Sequence, residues 1–168
     1  MSSTLARTIS LAALLALAVP AGAHAFDRDQ WRGSTSDDGG WRLDCDAPAC
    51  VPGSLVTFTV KPPHAVADLA TYEATLAHPA PEFARRGITV ATGPVRRSVI
   101  GRFVLYRATR TLTLPDGRRQ IGPMGVLVGD DLSLSLFSLS PDPAAAERNF
   151  TGVATWLARH PPKPGGQR

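Results

Sequence analysis

The sequence predicts an α+β fold: a twisted antiparallel sheet, largely a meander, with helices packed on one face. Three observations lead there. Several runs alternate apolar and polar residues with a period of two, and turn residues separate them. Two other runs, AVADLATYEATLAHP and SPDPAAAERNFTGVATWLARH, carry apolar stripes at helical spacing. Three or four of the alternating runs follow one another directly between these two helices, which suits hairpin connections.

In chain order, residues 1–25 stand apart from the fold. MSSTLART supplies a short n-region with Arg7, ISLAALLALAVP an apolar stretch, and Ala23-His24-Ala25 the small residues of a cleavage site. They read as a signal peptide cut before Phe26, which predicts an exported, periplasmic or secreted chain. The apolar stretch is too short to span a membrane, and no other segment is apolar enough. Residues 26–40, rich in small polar residues, read as a flexible arm or first loop. A single domain is expected over 41–160. The tail 161–168, PPKPGGQR, is expected to be disordered.

Within the domain, Trp41 and Leu43 alternate with Arg42 in a short strand. Cys45 and Cys50 are the only cysteines. In an oxidising compartment they are expected to form one disulfide, a staple worth roughly 2 kcal/mol. Pro52-Gly53 sets a turn, and a strand follows with Val56, Phe58 and Val60 inward. Leu69, Tyr72 and Leu76 form the apolar face of the first helix, which Pro79 and Pro81 end. PEFARRG is a short second helical turn stopped by Gly87. ITVATG, 88–93, is a strand. From Val104 onward Val104, Tyr106, Ala108, Arg110, Leu112 and Leu114 share the core face, while Leu105, Arg107 and three threonines share a wet one. LPDG turns the chain into a return strand holding Ile121, Met124, Val126 and Val128. Gly129-Asp130-Asp131 turns it again into LSLSLFSL. The closing helix has candidate caps Ser140 and Asp142, and an apolar stripe of Ala146, Phe150, Val153 and Leu157.

Charge is segregated. The segment 26–82 nets −5, the segment 83–119 nets +8 with nine arginines against Asp116, and the rest balances. The stretch RRSVIGRFVLYRATR holds five of those arginines and no acid. Arg97, Arg102, Arg107, Arg110, Arg118 and Arg119 therefore form the candidate surface, either a solvated strand face or a contact for an acidic protein partner or small anion, since guanidinium grips carboxylates and phosphates. Arg110 is the odd member. It shares a face with Leu112 and Leu114, where an unpaired charge is expensive. Either a bulge near Thr109 carries it outside, or a carboxylate or ligand pairs with it.

Other chemistries find less support. Asp37, Asp38, Asp44 and Asp46 suggest a metal-binding alternative but do not follow a calcium-loop pattern. His64, His78 and His160 are dispersed without metal-ligand spacing. A hydrolase or transferase would need a non-motif site built on His64, His78 and nearby carboxylates, because no nucleophile elbow or phosphate loop is present. No cofactor is expected, and nucleic acid is not an expected partner of an exported chain. The sequence does not set the oligomeric state.

The run from the meander through LSLSLFSLSPDPAAAERNF to the closing helix, residues 100–160, resembles the PsbP/Mog1-like fold group. That resemblance implies a non-catalytic accessory or assembly protein. GWRLDCDAPAC, around Trp41 to Cys50, resembles more faintly the opening of the IalB-like periplasmic proteins, without that group's second cysteine pair. The function expected is thus an exported, non-catalytic binding or accessory module.

Overall fold

The computed structural model describes residues 26–35, 40–46 and 50–162. The leader expected over 1–25, Asp37 and Asp38, and most of the expected tail lie outside the described residues. A 3-10 turn at Arg28–Gln30 leads into strands β1 (Trp31–Thr35), β2 (Trp41–Cys45) and β3 (Leu55–Lys61). Helices α1 (Leu69–Ala77) and α2 (Pro81–Arg85) follow, then β4 (Thr89–Thr92), β5 (Arg96–Ile100), β6 (Phe103–Thr113), β7 (Arg119–Val128), β8 (Ser133–Leu139) and α3 (Pro143–Arg159). All strands pair antiparallel in one twisted sheet of order β1-β2-β3-β8-β7-β6-β4, with β5 also on β6. The α+β class follows from the alternating runs, as expected.

The closing helix forms as its sequence demands. Asp142 caps it, its carboxylate accepting from the Ala144 amide, and Pro143 occupies the first turn where no amide is needed. Ala146, Phe150, Val153 and Leu157 are 1% exposed or less. Phe150, Val153 and Leu157 pack on Val56, Phe58, Leu105, Leu127, Leu134 and Leu136, which α3 covers. Each such large apolar side chain contributes about 1.5–3 kcal/mol.

Four expectations need correction. First, the helices do not share one face. Leu105 belongs to the core under α3, whereas its neighbours Tyr106 and Ala108 pack with Tyr72, Leu76 and Val66. Consecutive strand residues point to opposite faces, so α1 lies across the sheet from α3. The reason is the connection. The chain leaves β3 in mid-sheet and must cross β8, β7 and β6 to reach the far edge, and it takes the face α3 leaves open. On the way, the Ala65 amide donates to Ser133 Oγ at 3.2 Å. Second, Leu105 and Arg107 are therefore not on a wet face; Leu105 is 3% exposed. Third, residues 31–35 are not an arm but a sheet edge, with Trp31 buried and paired opposite Cys45. Fourth, Val60 and Leu69, expected inward, are exposed.

Cys45 and Cys50 are joined in a disulfide, as expected. The ring ties the end of β2 to the loop before β3, beside the amide of Asp46 that donates to the Gln30 carbonyl.

Candidate functional site

The site is built on the outer edge of β6. β5 pairs with its first half, from Arg96↔Arg107 to Ile100↔Phe103, and β4 with its second, from Thr89↔Thr113 to Thr92↔Arg110. β4 and β5 are one interrupted strand. Gly93, Pro94 and Val95 stand opposite only Ala108 and Thr109, so one extra residue is inserted. This is a β-bulge, where a proline without an N–H is tolerated. The Gly93 amide still donates to the Thr109 carbonyl at 2.9 Å.

The six candidate arginines do not make one surface. Arg107 faces α3, where it is paired with Glu147 and its guanidinium lies 5.6 Å from the centre of the Phe150 ring. Arg102, in the β5–β6 turn after Gly101, pairs with Asp131 of the β7–β8 turn at 2.7 Å. Arg118 donates from Nε to Asp116 at 2.6 Å within its own turn. Arg97 is exposed on β5 opposite Tyr106, and Arg119 is exposed opposite Thr113 at the far end. Three of the six are thus neutralised by carboxylates, two of which come from distant elements, the β7–β8 turn and α3, that no local reading links to them.

Arg110 behaves differently. The bulge near Thr109 exists, but on the neighbouring strand, and it leaves Arg110 on the same face as Tyr106 and Ala108. The guanidinium lies 5.9 Å from the centre of the Phe83 ring of α2, within cation–π range. No carboxylate among the described residues pairs with it. Its Nε is shielded from solvent and has no hydrogen-bond partner. Burial pushes the guanidinium below its ordinary pKa, with the Tyr72 hydroxyl as an opposing influence. Arginine nevertheless stays charged, so a half-buried cation is left without a counter-ion.

Tyr72 comes from α1, whose first turn is capped by Asp68 accepting from the Thr71 amide at 2.8 Å. Its ring tilts against Tyr106 with centroids 6.2 Å apart. Burial pushes the phenol up to about 12, against an opposing pull from Arg110. Folded and unfolded chains therefore bind the same proton below pH 10. Above it the unfolded chain ionises first, so stability falls as pH rises from about 10 through about 12. The expected loss is about 3 kcal/mol across that window. Urea midpoints measured through it, for wild type and Tyr72→Phe, check this: the variant lacks that part of the slope.

A groove of about 340 Å³ runs between α1 and the bulge, on the same face of the sheet as Arg110. Leu76, Ala77, Val90, Pro94 and Val95 give it apolar walls, and Glu73 and Thr92 are its polar members. Thr92 is the cross-strand partner of Arg110. Neither Phe83 nor the groove was singled out from sequence. The Gly93-Pro94 pair was the available signal, since such a pair inside a strand pattern marks a bulge.

No protein-family model matches the chain, and no curated protein matches it. The other expected sites are scattered. His64, at φ 50 in the loop after β3, lies 3.9 Å from Asp130 with both side chains exposed. His78 ends α1 with Nδ1 3.1 Å from the Ala74 carbonyl oxygen. Among the described residues, no histidine is brought to both an acid and a nucleophile. Asp44 is held by Arg42, which keeps its carboxyl below the usual range, and Asp46 faces Arg32 at 3.7 Å. No cluster of metal-ligating side chains occurs among the described residues, and no helix there is long and apolar enough to cross a membrane.

Proposed function

We propose that the protein is an exported, non-catalytic binding module that takes an anionic group, on a small ligand or an acidic partner, at Arg110. One observation carries the reading. Arg110 is the hairpin arginine that is half-buried and unpaired, and a desolvated guanidinium without a counter-ion is stabilised by any anion that reaches it. Arg97, exposed on β5 opposite Tyr106 and so on the face of Arg110, is a cation that steers an acidic partner toward that edge. Arg102, Arg107 and Arg118 drop out of the contact set because their own carboxylates already satisfy them. The leader-like residues 1–25 support export, and the Cys45–Cys50 disulfide suits an oxidising compartment. The likeness of residues 100–160 to the PsbP/Mog1-like group points the same way, to an accessory protein.

The test is a titration of isotopically labelled protein with acetate, inorganic phosphate and a short polyglutamate peptide at constant ionic strength. At least one of these is expected to shift the Arg110 side-chain resonance and the amides of Thr92 and Tyr72. Arg110→Gln is expected to abolish those shifts, while Arg118→Gln leaves them intact. Shifts confined to Arg97 and Arg119, or none at all, would refute the reading.

A further inference from the structure

We infer that the ligand is a small amphipathic monocarboxylate, whose apolar body lies in the groove between α1 and the β4–β5 bulge and whose carboxylate meets Arg110. This rests on the anion-binding reading and narrows it. Four features lead to it.

The groove and the cation belong to one surface. Thr92 and Arg110 are directly opposed residues of an antiparallel pair, so their side chains leave the sheet on the same side and start about 5 Å apart. Thr92 lines the groove. A molecule that extends along the groove to Thr92 therefore comes within an arginine side chain's length of the Arg110 backbone.

The groove's walls select the body. Leu76, Ala77, Pro79, Val90, Pro94 and Val95 offer carbon to whatever lies between them. Ligand sites of this kind are mostly apolar with a few polar groups fixing orientation. A groove of about 340 Å³ lies at the small end of the range of small-molecule sites, about 300–1,000 Å³.

The charge layout selects the head. One unpaired cation serves the site, and Glu73 among the groove's lining residues repels a dianion more strongly than a monoanion. A single negative charge fits this layout and a phosphate dianion does not. Among the described residues no hydrogen bond or ion pair is made by the two terminal nitrogens of Arg110, and they do not share the buried, unpartnered state of Nε. Their spacing matches the two oxygens of a carboxylate. The Tyr72 hydroxyl, on the same side of the sheet, keeps its proton and can donate it in a hydrogen bond but not repel the anion.

The shape of the edge supplies the opening. The bulge bends the β4–β5 strand away from a regular ladder, and Pro94 leaves no amide there to be satisfied. A groove made this way needs no helix to move.

Calorimetric titration at constant ionic strength tests the inference, with octanoate and 3-phenylpropionate as probes and acetate, inorganic phosphate and octan-1-ol as comparisons. Octanoate and 3-phenylpropionate are expected to bind at least about ten-fold tighter than acetate, because methylenes are buried. Arg110→Gln is expected to weaken octanoate by about ten-fold or more, the loss of a charge-assisted contact. Ala77 is exposed and lines the groove. Ala77→Gln, which puts a neutral polar group into the apolar groove, is therefore expected to keep the fold and erase the advantage of octanoate over acetate. If acetate or phosphate binds as tightly as octanoate and Arg110→Gln removes all three, the anion reading stands and the amphipathic ligand is overturned. If octanol matches octanoate and Arg110→Gln changes neither, the groove takes apolar matter alone and the inference is overturned. If no anion binds, the inference and the reading beneath it fall together.

Discussion

Phe150→Ala is expected to lower stability by about 3–5 kcal/mol, and the upper part of that range is the better guide. Phe150 is 0% exposed, at the centre of the α3 stripe. Its ring lies over Gly125 of β7, and the reason that residue is a glycine is visible in the packing. A Cβ there would come within 3.0 Å of the Phe150 ring and 2.7 Å of the Tyr106 backbone oxygen. The sheet has thus left a flat place for the ring. When the ring is removed, the floor of the cavity is backbone, which cannot rotate to fill it. Arg107 loses the aromatic surface beneath its guanidinium as well. A loss of this size is a large share of a typical domain's total stability. The urea midpoint reads it, and Phe150→Leu, which retains part of the volume, should fall between the two. An unchanged midpoint would mean that α3 is not docked on the sheet.

What could be read in the sequence divides along a physical line. The β6–β8 meander and α3 were legible because their signals are local. The two-residue alternation, the LPDG and Gly129-Asp130-Asp131 turns, and the Asp142-Pro143 start each lie within a few residues of what they specify. The path of the β3–α1 connection was not legible, because only long-range pairing says that it must cross three strands. For that reason Leu105 and Arg107 were read as wet: a strand covered on both faces has no polar side to alternate with. The arginines were legible as a group and not as individuals. Asp131 and Glu147 neutralise two of them from 29 and 40 residues away. Arg110 stands on the face that its alternation with Ala108 and Leu112 indicates. Its surroundings, Phe83 and the groove, come from elements whose packing the sequence does not spell out.

Trp31→Ala is expected to cost a further 3–5 kcal/mol or so, the range for a buried aromatic truncated in a core, and it tests the least expected part of the fold. β1 hid in a polar segment because it is an edge strand. Arg32, Gly33, Ser34 and Thr35 are exposed, and Trp31 supplies its single buried side chain. That one residue does several things. It pairs opposite Cys45, next to the disulfide, and its ring stands 5.8 Å from that of Phe26. Phe26 in turn stands 5.8 Å from Trp156 of α3 and packs on Gly152, whose Cβ, were there one, would come within 3.2 Å of Phe26. The chain entry is therefore fastened by an aromatic series running from the sheet edge to the closing helix. Aromatic pairs of this kind add about 0.5–1.5 kcal/mol beyond area burial. Ser34→Ala, on the exposed stretch of the same strand, should stay within about 0.5 kcal/mol of wild type. Hydrogen exchange separates the ways Trp31→Ala can act. Loss of protection confined to β1 and β2, with β6–β8 unchanged, means that the edge detaches while the rest of the sheet holds. A variant with wild-type midpoint and wild-type exchange would return residues 26–35 to the status of a loose arm.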